Sequence, residues 1–172
     1  MKNWLKSKFN WYISSPSEEE YEECIKDLIV NRDVGSMRNF MQHGDTNTLE
    51  HCLNVSYYSY RMCKNFGLDY RAAARGGLLH DFFLYDWHKG KDYKGLHGLQ
   101  HPKIALMNAE ARFELSHKEK DIIKKHMWPV TIKLPRYKES FIVMLMDKYC
   151  AVEEVVARAQ KITRRLKMLF EN

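Results

Sequence analysis

The sequence has few cysteines and few residues that break helices. Its four cysteines, Cys24, Cys52, Cys63 and Cys150, form no CxxC pair, and only four prolines occur among 172 residues. Zinc knuckles and disulfide frameworks depend on closely spaced cysteines, so neither class is expected. Scattered thiols of this kind favour the cytoplasm, where cysteines stay reduced.

Long apolar runs and strand-type alternation are also lacking. No stretch approaches the roughly 18 apolar residues that a membrane-spanning helix requires. The first residues, MKNWLKSKFNWYISS, carry lysines but no continuous apolar region, so we expect neither a transmembrane segment nor a secretory signal. Alternating apolar and polar residues, which indicate a half-buried strand, are nearly absent.

The remaining pattern is that of helices with clear starts and stops. Ser17 precedes three glutamates, which favours a helix from there to about Arg32. A second helix is expected from Asn47 to about Phe66, where Gly67 ends it. Asp69 is placed to cap a third helix that reaches His80-Asp81. A glycine-containing loop is expected next, over 82–100. The last three expected helices run from about Pro102 to Glu114, from Ser116 to Met127, and from about Glu139 to the end.

Composition is consistent with one folded domain. The hydrophobic fraction of 45% and the aromatic fraction of 13% are typical of globular proteins. We therefore predict an all-α, single-domain protein over 1–172, a bundle of about six to eight helices. Its core is expected at about 45–156, with a helical extension before it and a basic helix after it.

The net charge of +6 is spread along the chain and is densest in the tail RAQKITRRLKMLFEN. Basic tail helices are more often solvated faces than binding patches. No nucleic-acid partner is therefore predicted.

Several ionisable residues lie where the helical pattern calls for apolar ones. His51 shares a face with Val55 and Tyr58, and Asp147 follows Val143 and Met144 by one turn. Each alone is compatible with an ordinary buried polar residue that has a hydrogen-bond or ion-pair partner. Together, the set would be costly to bury without compensation. The set consists of His51, His80, Asp81, His101, His126 and Asp147.

A cation would remove this cost, because carboxylates stay ionised and imidazoles stay neutral as its ligands. Ligation by histidine and aspartate without cysteine suits divalent ions such as Fe, Mn, Zn, Co or Ni. Gly76 and Gly77, just before His80, would let another helix approach closely.

The order of these residues resembles the HD-domain superfamily of metal-dependent phosphohydrolases. Its basic signature, His…His-Asp…Asp, corresponds here to His51, His80-Asp81 and Asp147. His101 and His126 match the expanded form that holds two metals. The phrases TLEHCLNVS, GLLHD, QHP and MLMDKYCA carry the resemblance over roughly 45–156.

The resemblance implies a role for each position. Asp81 would bridge two divalent metals, Fe or Mn first among them, and would act with His80 in catalysis. His51, His80 and Asp147 would complete one metal site, and His101 with His126 the second. His97 competes with His101, which is favoured because it precedes Pro102 and would lie at a helix start.

The chain departs from the family after the His-Asp pair. Many relatives have a lysine there, whereas this chain has FFLYDWHKG, which predicts an aromatic rim of Phe82, Phe83, Tyr85 and Trp87. Asp86 and His88 are candidates to contact the metal-ligating side chains and so orient them. Basic candidates for holding outer phosphates are Lys89, Lys91, Lys94 and Arg136.

The resemblance implies hydrolysis of a phosphate ester or anhydride in a small phosphorylated substrate such as a nucleotide. Three alternatives remain open. They are a di-iron oxygenase built on the same ligands, a regulatory module with a structural or sensing metal, and a nucleic-acid-binding protein. The oligomeric state is left undetermined by the sequence.

Overall fold

A computed structural model describes residues 17–43, 45–86 and 97–170 of the chain, with the backbone alone at 17, 43, 97 and 165–170. Over these ranges the protein is a helical bundle with one very short hairpin. The prediction of an all-α fold is therefore confirmed. None of the described helices is long and apolar enough to cross a membrane.

The N-terminal part contains two helices where the sequence predicted one. α1 spans Ser17–Ile29 and α2 spans Arg32–Ser36. The expectation of a single helix to Arg32 is wrong because the side chain of Asn31 accepts a hydrogen bond from the Asp33 amide and begins a new helix. A 3₁₀ turn at Met37–Asn39 leads into an antiparallel hairpin of β1, Met41–His43, and β2, Thr46–Asn47.

The two central helices begin and end where the sequence predicted. α3 spans Thr48–Asn65, capped by Asn47, and Gly67 follows it with a φ of 64°, in the left-handed region. α4 spans Tyr70–Leu79, and the side chain of Asp69 accepts from the Ala72 amide at its start.

Close approach of α4 to its neighbours depends on two glycines. A Cβ atom on Gly77 would lie 2.9 Å from the Cα of Ser56 on α3, and one on Gly76 would lie 2.7 Å from the side chain of Ile122. The Ser56 hydroxyl completes this contact by donating to the carbonyl oxygen of Ala74 at 2.7 Å. The expectation that these glycines admit another helix is confirmed, and the end of α4 is thereby held against α3.

Three further helices close the bundle. α5 spans His97–Glu110, α6 spans His117–Lys125 and α7 spans Lys138–Phe170 without a break. The side chains of Ser116 and Glu119 form a capping box at the start of α6. α7 packs against α3, α4 and α6, so its N-terminal half faces the centre of the bundle.

The start of α5 differs from the prediction. Pro102 lies inside the helix instead of at its first position, and His101 follows four helical residues. A proline this close to a helix start removes a single intrahelical hydrogen bond, which the rest of the helix tolerates.

The core lies between α1, α3, α4 and the helices packed on them. All four cysteines are buried and free, as expected for scattered thiols. His51 on α3 and His80 at the end of α4 are both fully buried. The polar cluster is therefore inside the bundle.

Candidate metal centre

His51 and Asp147 meet across the bundle. His51 lies in the first turn and a half of α3, and Asp147 lies on the buried face of α7. Nε2 of His51 is 3.1 Å from Oδ1 of Asp147. On the other side of the ring, Nδ1 of His51 is 3.1 Å from Oε2 of Glu154. A donor proton on Nδ1 therefore leaves the Nε2 lone pair directed at Asp147.

His80 and Asp81 lie at the C-terminal end of α4. Nδ1 of His80 is 2.7 Å from the carbonyl oxygen of Gly77, to which it donates. Its Nε2 therefore carries a lone pair, and this atom is 3.4 Å from Oδ2 of Asp81 and 3.6 Å from Oδ1 of Asp147. The helix end thus presents an imidazole nitrogen and a carboxylate to the same space.

His101 and His126 approach Asp81 from the other side. Their Nε2 atoms are 2.8 Å apart and lie 3.1 Å and 3.4 Å from Oδ1 of Asp81. His126 ends α6, and its Nδ1 donates to the carbonyl oxygen of Ile123 at 2.9 Å. Its Nε2 is consequently a lone-pair donor, as in His80.

Asp81 stands between two groups of ligand-type atoms. Its Oδ2 faces His80, and its Oδ1 faces His101 and His126. Within the described residues, two sets of potential ligand atoms have every atom within 4.8 Å of the others. The first set is His51, His80 and Asp147, and the second is His80, Asp81 and His126.

A bound cation explains the arrangement of the potential ligand atoms better than hydrogen bonds among these atoms do. In the described part of the chain, Nε2 of His80 and Oδ1 of Asp81 are buried without a hydrogen bond of acceptable geometry. Such orphaned polar atoms are rare in native proteins and point to an ion or water. Separations of 3 to 4 Å are those that ligands about 2 Å from a shared ion would have.

The charges in the cluster support the same interpretation. Burial raises the pKa of Asp81, but His80 and His101 outweigh it and hold this pKa well below its usual range. Burial likewise lowers the pKa of His51, but hydrogen bonds to Asp147 and Glu154 raise it to about 10. The carboxylates therefore keep their negative charge, and the cluster favours positive charge beside them, from protons or from metal ions.

His126 behaves differently from His51. Burial lowers the pKa of His126, and the contact with Asp81 does not reverse this effect. A neutral imidazole whose Nδ1–H already donates a hydrogen bond can bind a metal through Nε2.

Two residues at the cluster were missed by the sequence analysis. Glu154 holds His51 from behind, and Gln42 on β1 donates from Nε2 to Oδ2 of Asp81. Glu154 lies seven residues, or two helical turns, after Asp147 on the same face, a spacing that could have identified it. Gln42 offered no such signal, because its hairpin is too short for a periodic pattern.

The other predicted residues are only partly where the sequence placed them. Phe82 packs in the core against Phe113, so it is not part of a rim. Phe83 is buried and its ring centre lies 5.9 Å from that of His101, and Tyr85 beside it is half-buried. The predicted aromatic rim is therefore wrong for both phenylalanines. The remaining rim residue, Trp87, lies outside the described residues.

The polar candidates around the site are less well placed. Arg136 stacks over the ring of Tyr137 at 5.7 Å and is exposed. Asp86 is half-buried at the end of a described segment. The structure describes only the backbone of His97, so its competition with His101 stays open. Outside the described residues lie His88, Lys89, Lys91 and Lys94.

Among the described residues, Asp147 forms no ion pair with a lysine or arginine, as a simple buried aspartate would. The Nζ of the neighbouring Lys148 instead donates to the carbonyl oxygens of His126 and Met144, at 3.3 and 3.5 Å. The partners of Asp147 are the imidazoles of His51 and His80.

The fold and the site together define the class of protein: a helical bundle that holds a buried cluster of histidines and aspartates. The family model described as the HD domain matches residues 48–152, more than half of the chain. The chain therefore belongs to the HD-domain family, whose members are generally metal-dependent hydrolases. Searches of curated proteins and of solved structures gave no significant match.

Proposed function

We propose that this protein is a metal-dependent phosphohydrolase that cleaves a phosphate ester or anhydride of a nucleotide or similar small molecule. The observation that carries the proposal is the position of Asp81. Its Oδ2 faces the imidazole of His80 and its Oδ1 faces those of His101 and His126, which is the arrangement expected of a ligand shared by two ions.

The proposed ligands divide between two sites. His51, His80 and Asp147 would hold one divalent ion, and His101 with His126 the second, with Asp81 shared between them. Iron or manganese suits this mixed set best, and zinc, cobalt and nickel are also compatible. Two such ions, when bound, would supply an activated water at neutral pH and would neutralise charge on a phosphoryl group.

The residues of the chain contribute orientation and charge. The Gly77 carbonyl oxygen keeps the proton of His80 on Nδ1, and the Ile123 carbonyl oxygen does the same for His126. Gln42 restrains one oxygen of Asp81. Because phosphoryl transfer needs mainly positioning and charge stabilisation, this cluster can act with few additional groups.

The test is elemental analysis of the purified protein, followed by phosphate release from a panel of phosphate esters and nucleotides with added Mn²⁺ or Fe²⁺. We expect bound transition metal and phosphate release from at least one substrate. Bound iron with oxygen consumption and no phosphate release would overturn the proposal in favour of an oxygenase. Bound metal with neither reaction would favour a regulatory module.

A further inference from the structure

The segment between α6 and α7 presents apolar side chains to solvent. It consists of residues 126–137, which separate the two helices, and we call it the α6–α7 loop. Exposed fractions are 59% for Val130, 98% for Ile132 and 56% for Leu134. Single exposed apolar residues are common on protein surfaces, but a concentration of them indicates an interaction site. Here three of them lie within five consecutive positions.

The loop is attached to the body of the protein near both ends. The amide of Arg136 and the hydroxyl of Ser140 both donate to Oδ2 of Asp121, each at 2.8 Å. The ring of Trp128 packs edge-on against that of Phe141, with 6.2 Å between the ring centres. The exposed aliphatic side chains therefore belong to a segment whose two ends are fixed.

The same part of the chain is strongly basic. Positions 122–138 contain five lysines and arginines and no acidic residue. Among the described residues, Lys125 is the one of these five that forms an ion pair, with Asp121. The other four are exposed, and they are Lys124, Lys133, Arg136 and Lys138. The loop therefore combines exposed apolar side chains with positive charge that has no acidic partner.

We propose that the α6–α7 loop docks on an anionic membrane surface. Its aliphatic side chains enter the bilayer between the headgroups, and its basic side chains contact the negative groups of the lipid. Binding of this kind grows with the apolar area buried and with the attraction to anionic lipid. Trp128 and Tyr137 are both half-buried at the two ends of the loop, and such rings favour the headgroup region.

The order of the residues favours a membrane over a protein partner. Lys133 lies between Ile132 and Leu134, so a protein interface that covered both apolar side chains would also cover the lysine. Lysine is depleted from the cores of protein interfaces. At a bilayer, the apolar stem of a lysine follows its neighbours while the ammonium group stays among the headgroups.

A nucleic acid would use the charges of the loop and leave the rest. Its phosphates would attract the basic residues, but Val130 and Ile132 would stay exposed to water. Binding to single strands also depends on open aromatic faces on which bases stack, whereas the ring of Trp128 is packed against Phe141. An anionic bilayer complements both features of the loop.

Docking through this loop would bring the metal centre close to the membrane. His126 is the first residue of the loop, and the four residues from it to Val130 span at most about 14 Å. The proposal does not depend on the proposed hydrolase activity, because it rests on the exposure and the charge of the loop.

The first test is co-sedimentation of the full chain with vesicles of phosphatidylcholine alone, or of phosphatidylcholine with about 30% phosphatidylserine. We expect binding to the anionic vesicles to be at least about ten-fold tighter, and to weaken as the salt concentration rises. Ile132→Ser and Lys133→Glu should each weaken it at least about five-fold, because the first removes apolar area and the second reverses a charge.

Val30→Ser and Lys26→Glu are the matched controls. They make the same kinds of change at exposed positions of α1 and of the residue that follows it, and both should bind vesicles like the wild type. Because all four positions are exposed, every variant should keep the wild-type circular dichroism spectrum. A wild-type chain that does not bind anionic vesicles would overturn the proposal, whether or not it binds an oligonucleotide. Equal effects of the loop variants and the controls would overturn it too.

The second test measures insertion. Because all four native cysteines are buried, Ile132→Cys adds one exposed thiol for a dye whose emission depends on polarity. With anionic vesicles the emission at position 132 should increase and shift to the blue, whereas the same dye attached through Val30→Cys should not respond. Vesicle binding with unchanged emission at position 132 would mean adsorption by charge alone, and the proposed insertion of the loop would be wrong.

Discussion

The carboxylate of Glu154 lies 3.1 Å from Nδ1 of His51, on the side of the ring away from Asp147. It accepts a hydrogen bond from Nδ1–H, so that the Nε2 lone pair points into the cluster. This arrangement, a carboxylate behind a histidine ligand, orients the ring and raises its basicity.

Removing this support should weaken metal binding at the first group. We expect Glu154→Ala to lower metal affinity about 10- to 100-fold, and Glu154→Gln to lose less because an amide oxygen still accepts from Nδ1. Titration calorimetry with Mn²⁺ measures the difference. Glu153→Ala is the control, since Glu153 bonds only to Tyr149 among the described contacts. Wild-type affinity in Glu154→Ala would contradict this role.

His101 and His126 belong to the second proposed site. His101→Ala or His126→Ala should therefore remove one ion and leave the other, since His51, His80, Asp81 and Asp147 still provide a full set. Elemental analysis of the purified variants gives the count. Two ions retained in both variants would exclude this assignment and make His97 the next candidate.

Asp81 is the residue on which both proposed sites depend. Asp81→Ala should reduce phosphate release by at least about a hundred-fold while the helices persist, because the core does not rely on the cluster. Asp147→Ala should remove one ion and keep the shared carboxylate. Near-wild-type turnover by Asp81→Ala would place the reaction elsewhere. A lost circular dichroism signal would instead indicate a structural metal.

Gly77 controls the contact between α3 and α4. An added methyl group would meet the Ser56 backbone at 2.9 Å, so Gly77→Ala should cost about 1–3 kcal/mol of unfolding free energy. Gly35→Ala is the control, because its nearest neighbour is the end of the Arg38 side chain at 3.7 Å. Denaturant unfolding of both variants provides the comparison, and equal stability would disprove the close-approach argument.

The lowered pKa of Glu20 predicts that the stability of the fold depends on pH. Its contact with Lys64 and hydrogen bonds from Tyr70 and Tyr60 lower its pKa from 4.5 to about 2. The stabilisation is therefore complete above about pH 4.5 and is lost as the pH falls toward 2. The difference in melting temperature between wild type and Glu20→Gln should shrink over that range. A constant difference would contradict the pKa.

The sequence predicted those parts of the site that helical periodicity or the family pattern marks. His51 and Asp147 stood out because each interrupts an apolar face, and the order of the histidines and aspartates supplied the rest. Gln42 reaches Asp81 across 39 positions, a contact created only by the tertiary fold. The start of α5 was predicted wrongly. Proline favours the first position of a helix, but this preference of Pro102 does not determine where α5 begins.

The separation of His51 and Asp147 by 96 positions has a consequence for biosynthesis. A growing polypeptide presents His51, His80 and Asp81 long before Asp147 and Glu154 are translated. The first group is therefore complete only after the last helix packs against the others. Contacts between residues so far apart in sequence form slowly during folding. The free energy of metal binding contributes to the free energy of folding. An ion bound by that group would therefore stabilise the fold only after the whole chain has been translated.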